Sequence, residues 1–213
     1  MPMHPPLDHI PRKIASLGDY EAFAQARVHP AAWAYLNAGA GDEWTLRENI
    51  AAFARLPLRR RMLRSMRRAT TATQLLNLDL EAPILIAPTA YHRLSHPDGE
   101  MATVLAAGAT NTCMVVSTQA SLPIEDIAAA ATGPLWFQLY IQPDRAFTRA
   151  LVQRAEAAGY RALVVTVDAP VNGLRNVEAR AGFALPDDIR PVNLAGMQMP
   201  AHEAPCNALL FGT

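Results

Sequence analysis

The strongest constraint in this sequence is a repeat: four short apolar runs, each ending in polar side chains, with a helix-length stretch between successive runs. Ile84-Leu85-Ile86-Ala87 leads into Pro88-Thr89-Ala90, and Met114-Val115-Val116 into Ser117-Thr118. Leu135-Trp136-Phe137 leads into Gln138-Leu139-Tyr140; Ala162 to Val167, with Thr166 inside it, leads into Asp168. The stretches between them carry helix signals. One runs from about Gly99 to Ala109. In the next, Ser121 stands as N-cap, Pro123 in the first turn, and Glu125-Asp126 where the helix dipole favours acids. In the third, Asp144 caps, Phe147, Leu151, Val152 and Ala155 share a face, and Gly159 stops the helix. The predicted order is β-α-β-α-β-α-β. Apolar runs without alternation imply strands buried on both faces, hence a parallel sheet with right-handed crossovers.

A doubly wound sheet and a (β/α) barrel both satisfy that order. The polar ends of all four runs favour the barrel, which assembles its site at the C-terminal rim from several strands. A doubly wound nucleotide fold concentrates a Gly-rich loop after its first strand. No G-x-G-x-x-G occurs here, and Gly39-Ala40-Gly41 follows a helix-like segment instead. Four strands cannot close a barrel, so their open edges need covering.

Ahead of the repeat, Asp19 to Phe53 reads as helical: Pro30 opens one helix, Gly39-Ala40-Gly41 breaks the pattern, and Thr45 to Phe53 forms another. Arg55 to Arg68 holds seven arginines and no acid. A solvated connector pairing with carboxylates elsewhere is the preferred reading, ahead of a site for phosphate or an acidic partner. After Asp168, Pro186, Pro191, Pro200 and Pro205 punctuate a segment without periodicity, as expected of a functional or mobile loop.

Composition narrows the function. Lys plus Arg and Asp plus Glu number 19 each, so no nucleic-acid partner is expected. No apolar run has the roughly 18–20 residues of a membrane span. Residues 1–13 have no apolar signal core, and a cytoplasmic location is expected. Cys113 and Cys206 lie far apart and read as free thiols, with no metal site. Lys13, in the Pro-rich leader, is the sole lysine beside 18 arginines. Schiff-base and P-loop chemistry both need a positioned lysine and are disfavoured.

Five stretches in order resemble the FMN-dependent α-hydroxy acid oxidase and dehydrogenase family, which includes glycolate, lactate and hydroxymandelate oxidases. They are Tyr35 to Leu46, Ala87-Pro88-Thr89-Ala90 with His96-Pro97-Asp98-Gly99-Glu100, Phe137-Gln138-Leu139-Tyr140, and Thr166-Val167-Asp168-Ala169-Pro170. The resemblance implies an α/β fold, a (β/α)8 TIM barrel with an N-terminal helical extension. Residues 1–80 would be leader and extension, 81–185 the first half of the FMN-binding barrel, and 186–213 the Pro-rich loop after the fourth strand. It also implies roles. Tyr35 resembles the phenol that holds the substrate carboxylate, Tyr140 the phenol near the reacting hydroxyl, and Arg175 the guanidinium beside the substrate. Pro88, Thr89, the backbone at Ala90, Ser117, Gln138 and Thr166 resemble flavin contacts. Asp168 resembles the carboxylate that orients a catalytic histidine. His92 and His96 receive no catalytic role.

Three positions depart from the family pattern. Gln119 replaces a large apolar side chain near the substrate, Leu36 a frequent second Tyr, and Leu174 a frequent second Arg. The family's second half would supply a lysine at the flavin, the histidine base, a substrate-binding arginine and the phosphate-binding end of the barrel. Those motifs do not occur in this sequence. The expectation is therefore an N-terminal half completed by the C-terminal half of the barrel as a second chain or fragment. A small 2-hydroxy acid is the implied substrate, and a homo-oligomer, such as a tetramer, the implied assembly. The alternative is a non-catalytic half-barrel that binds a partner. An aldolase or isomerase barrel would require a catalytic lysine or a metal cluster, and neither signal is present.

Overall fold

The computed structural model describes residues 5, 7, 9–168 and 173–197. Three helices come first: α1 (Tyr20–Gln25), α2 (Pro30–Asn37) and α3 (Trp44–Ala54). A two-stranded hairpin follows, β1 (Thr73–Leu75) and β2 (Leu78–Leu80). The repeat then supplies α4 (Glu100–Ala109), β3 (Met114–Ser117), α5 (Ile124–Ala130), β4 (Leu135–Leu139), α6 (Arg145–Ala157), β5 (Leu163–Val165) and α7 (Asn176–Arg180).

Local chemistry explains most of the boundaries. Pro30 occupies the first turn of α2, where its missing N–H costs nothing, and the His29 ring accepts the Ala31 N–H at 3.2 Å. Asp144 caps α6 by accepting from the Ala146 and Phe147 N–H groups. Leu151 and Ala155 are buried on the α6 stripe, and Gly159 ends it at φ +89°. The start of α5 differs from the expectation. Ser121 does not cap it; its hydroxyl donates to Glu100, and the Ile124 N–H goes to the Asn193 side chain at 3.1 Å.

The strands run parallel in sequence order. β4 pairs with β3 on one side and β5 on the other. The first apolar run joins the outer side of β3 through a parallel bridge between Ile86 and Met114. Alternation along the strands divides the core in two. Met114, Val116, Leu135, Phe137 and Leu139 pack with Val104, Ile124, Ile127, Leu151 and Ala155 of α4, α5 and α6. Val115 and Trp136, on the opposite face, pack against Leu78 and Leu80 of the hairpin and Cys113. Sequential order with the helices on one face is singly wound; a doubly wound sheet would reverse direction and put helices on both. This is the (β/α)8 barrel architecture, of which the chain carries the helical extension and about the first four βα units.

Three points differ from the sequence reading. The first apolar run, expected as a strand, forms only an isolated bridge at Ile86, so the sheet has three strands among the described residues. Burial on both faces holds for β3 and β4, but Leu163 and Val165 of β5 remain 44% and 43% exposed, with no helix among the described residues covering that face. The hairpin had no counterpart in the sequence reading. Its turn residues Leu76 and Asn77 both take positive φ, 48° and 60°, which suits a two-residue connection. The arginine-rich connector is exposed throughout, with Arg55 paired to Glu48 on α3. Over residues 186–197 the Pro-rich segment is irregular yet packed: Ile189, Asn193 and Leu194 are buried. Ala169, Pro170 and Cys206 lie outside the described residues. Among the described residues no helix is long and apolar enough to cross a membrane.

Candidate active site

Strand pairing sets the first part of the site. Ser117 lies opposite Gln138 in the β3–β4 register, and both share the side-chain parity of Val115 and Trp136, away from the helices. Thr166 follows Val164 with the same parity just beyond β5. The three side chains form one row. The Ser117 hydroxyl donates to Gln138 Oε1 at 3.3 Å, and Gln138 Nε2 donates to Thr166 Oγ1 at 2.8 Å. Ser117 and Gln138 are buried. Thr118 locks the row from behind. Its N–H donates to Gln138 Oε1 at 3.2 Å, its hydroxyl donates to the Gln138 carbonyl at 2.6 Å, and that hydroxyl accepts the Tyr140 N–H at 3.2 Å.

The loop after the first apolar run adjoins this row. The Tyr91 N–H donates to the Gln119 carbonyl at 3.2 Å, which ties the 88–91 turn to the loop after β3. Pro88 and Thr89 are exposed on that turn and Ala90 is half-buried.

A second group gathers around two phenols. Tyr35 comes from α2, and its ring is stacked on Phe183 at 4.6 Å and tilted against Tyr91 at 6.4 Å. Arg175 Nη2 donates to the Tyr35 carbonyl at 3.1 Å, while its Nε pairs with Glu178 at 3.2 Å. The loop that carries Arg175 is held to the extension: the Gly41 N–H donates to the Leu174 carbonyl at 2.7 Å, and Asn176 Nδ2 donates to the Gly41 carbonyl. A Cβ on Gly173 would lie 2.9 Å from that of Ala40, so this approach requires glycine.

Electrostatics connect the two phenols. Burial raises the Tyr35 pKa above that of an ordinary phenol; the charges of Glu178 and Tyr140 add to the rise and Arg175 opposes it. Tyr140 is raised by burial and then by the Asp168 carboxylate. Both phenols are therefore neutral hydrogen-bond donors at neutral pH. Asp168 itself is exposed.

The structure thus brings Ser117, Gln138 and Thr166 into one bonded row. It sets Tyr35 beside Arg175 and within electrostatic reach of Tyr140, and Tyr140 within reach of Asp168, and leaves Pro88, Thr89 and Ala90 on the adjoining turn. Sequence reasoning missed Thr118, Tyr91, Phe183 and Glu178. Only Thr118 had a local signal, as the polar residue next to Ser117.

The row suits the polar edge of a flavin ring, which needs partners that both give and accept hydrogen bonds. Hydroxyls and a primary amide do both. Neighbouring strands stand about 4.8 Å apart, so a row across three strands spans roughly 10 Å, the length of a tricyclic ring.

This is the rim of a (β/α) barrel equipped with neutral polar tips and two half-buried phenols, the pattern of a cofactor-dependent barrel enzyme. Residues 24–208 match the family model described as FMN-dependent dehydrogenase. The chain is 44% identical over 200 residues to an L-lactate oxidase of Alicycliphilus denitrificans, covering 94% of this chain and 55% of that protein. It is 45% identical to a 2-hydroxyacid oxidase of Rattus norvegicus, covering 78% and 48%. A solved mandelate oxidase variant with (S)-mandelic acid superposes with a TM-score of 0.81 at 38% identity, covering 84% of this chain and 53% of that one. Another mandelate oxidase structure contains an FMN adduct. The chain belongs to the FMN-dependent dehydrogenase family. It spans about half the length of the curated relatives it matches.

Proposed function

We propose that this chain supplies the N-terminal half of an FMN-dependent 2-hydroxy acid oxidase or dehydrogenase. The observation that carries the reading is the Ser117–Gln138–Thr166 row, bonded across three adjacent strand ends on the face away from the helices. In this reading Thr89, the backbone at Ala90, Ser117, Gln138 and Thr166 hold FMN, with Pro88 shaping the turn. When bound, FMN supplies the acceptor for the hydride equivalent lost from the substrate α-carbon. Tyr35 and Arg175 hold the substrate carboxylate. Tyr140, a neutral phenol whose pKa burial and Asp168 raise further, bonds the reacting hydroxyl oxygen and steadies the charge that grows there. Asp168 orients a histidine base contributed by the remainder of the barrel.

Residues 1–80 are then leader and extension, 81–185 the first half of the barrel, and 186–213 the loop beyond its fourth strand. The strands that close the barrel lie outside these 213 residues, and the completed enzyme works in the cytoplasm as a homo-oligomer.

Two measurements test this reading. The purified protein should be yellow, and a small 2-hydroxy acid added without oxygen should bleach it. A colourless protein that takes up no FMN overturns the flavin reading and leaves a half-barrel binding module. In the active protein, Tyr140→Phe should lower turnover by about tenfold or more while FMN affinity stays within about twofold. Unchanged turnover removes Tyr140 from the mechanism.

A further inference from the structure

We propose that Glu100 is a positioning residue for the flavin site: its carboxylate holds two neighbouring rim loops at the spacing FMN requires. The inference rests on the flavin reading above. Glu100 is 1% exposed at the first position of α4, far from Tyr35, Arg175 and Asp168 in sequence and with no role in the proposed chemistry. A carboxylate this buried is costly unless its oxygens are hydrogen-bonded. Here the bonds run to two different loops. Oε1 accepts the His92 N–H at 3.2 Å and the Ser121 N–H at 2.8 Å; Oε2 accepts the Ser121 hydroxyl at 2.7 Å.

His92 ends the turn that carries Thr89 and Ala90, and Ser121 ends the loop that begins at Ser117. The same carboxylate therefore fixes the far end of each predicted flavin-contacting segment. A further bond stiffens the joint: the His92 ring meets the Thr103 hydroxyl at 2.9 Å. Ahead of the carboxylate, Gly99 takes φ +54°, and a Cβ there would stand 2.6 Å from Arg93 Cγ and 3.4 Å from Ser121 Oγ. Glycine at this position allows Glu100 to reach both loops. Deleting the carboxylate leaves the sheet intact and frees the loops to separate.

The test uses Glu100→Gln and Ser121→Ala in the purified flavoprotein, and the latter keeps the carboxylate if the former does not fold. FMN dissociation is followed by flavin fluorescence, and hydrogen exchange is followed at the amides of residues 90–92 and 119–121. Glu100→Gln should weaken FMN binding by about tenfold or more, as expected for lost bonds to a charged acceptor. Exchange should quicken in both loops, and the KM for the 2-hydroxy acid should stay unchanged at saturating FMN. Ser121→Ala should shift both readouts in the same direction by less. Faster loop exchange with FMN affinity within about twofold in both variants makes Glu100 a packing residue only and overturns the proposal. Unchanged exchange overturns it as well. A wild-type protein that binds no FMN sinks the underlying flavin reading, a result visible before any variant is made.

Discussion

Tyr91 adopts φ +54° with its ring 4% exposed against Tyr35. A non-glycine residue in the left-handed region is strained, and here the strain is held by packing in one cluster with Val28, Ala32, Leu94 and Ile189. Its phenol is pushed up to about 12 by burial and by Tyr35. The unfolded chain gives up this proton near pH 10, whereas the folded chain keeps it until about pH 12. Its stabilising contribution is thus complete below pH 10 and is lost as the pH climbs towards 12. Urea titrations should show an alkaline loss of about 2 kcal/mol, below the full two-unit conversion because water screens part of the hydroxyl. Tyr91→Phe should flatten that decline. His92 acts on the acid side. Burial lowers its pKa, partly opposed by Glu100, so its contribution is present above pH 6.5 and falls away below it. At this scale the sequence revealed Ser117, Gln138 and Thr166 because they terminate apolar runs. Phe183 and Glu178 were hidden because their roles depend on a loop returning to α2.

Among the elements, α6 was legible because its cap, stripe and terminator are all local in sequence. The start of α5 was not. Ile124 takes its cap from Asn193, 69 residues further along. Asn193 Oδ1 also accepts from Arg154 of α6, and its Nδ2 donates to the Leu122 carbonyl at 2.9 Å. One buried amide thus joins the start of α5, the end of α6 and the Pro-rich segment. Asn193→Ala should cost about 1–3 kcal/mol in urea unfolding, through the lost cap on the buried Ile124 N–H and the Leu122 carbonyl left without its donor. The earliest amides of α5 should exchange fastest in that variant. The β1–β2 hairpin was also missed, since its turn contains no glycine and relies on Leu76 and Asn77 at positive φ.

For the molecule as a whole, sequential parallel strands and one-sided helices were readable from the repeat, while the state of the sheet's ends was not. Leu163 and Val165 on β5 and Ile84 ahead of the first bridge are exposed apolar groups at its two margins. Under the barrel reading these are the seams that the remaining strands cover. Val165→Lys should therefore leave the unfolding of these 213 residues alone within about 0.5 kcal/mol, as surface changes do. In the flavoprotein, where the barrel is closed, it should instead lower the urea midpoint. An unchanged midpoint there would place the closing strands elsewhere.

The excursion beyond β5 is fastened twice: near its start, where Leu174 and Asn176 bond Gly41, and near its end, where Asn193 sits at α5. A protease that cut between Arg180 and Pro191 would therefore detach neither stub, because each is riveted to a different part of the body. The nicked protein should run as two bands under denaturing conditions and as a single particle under native ones, with Arg175 still lying against Tyr35.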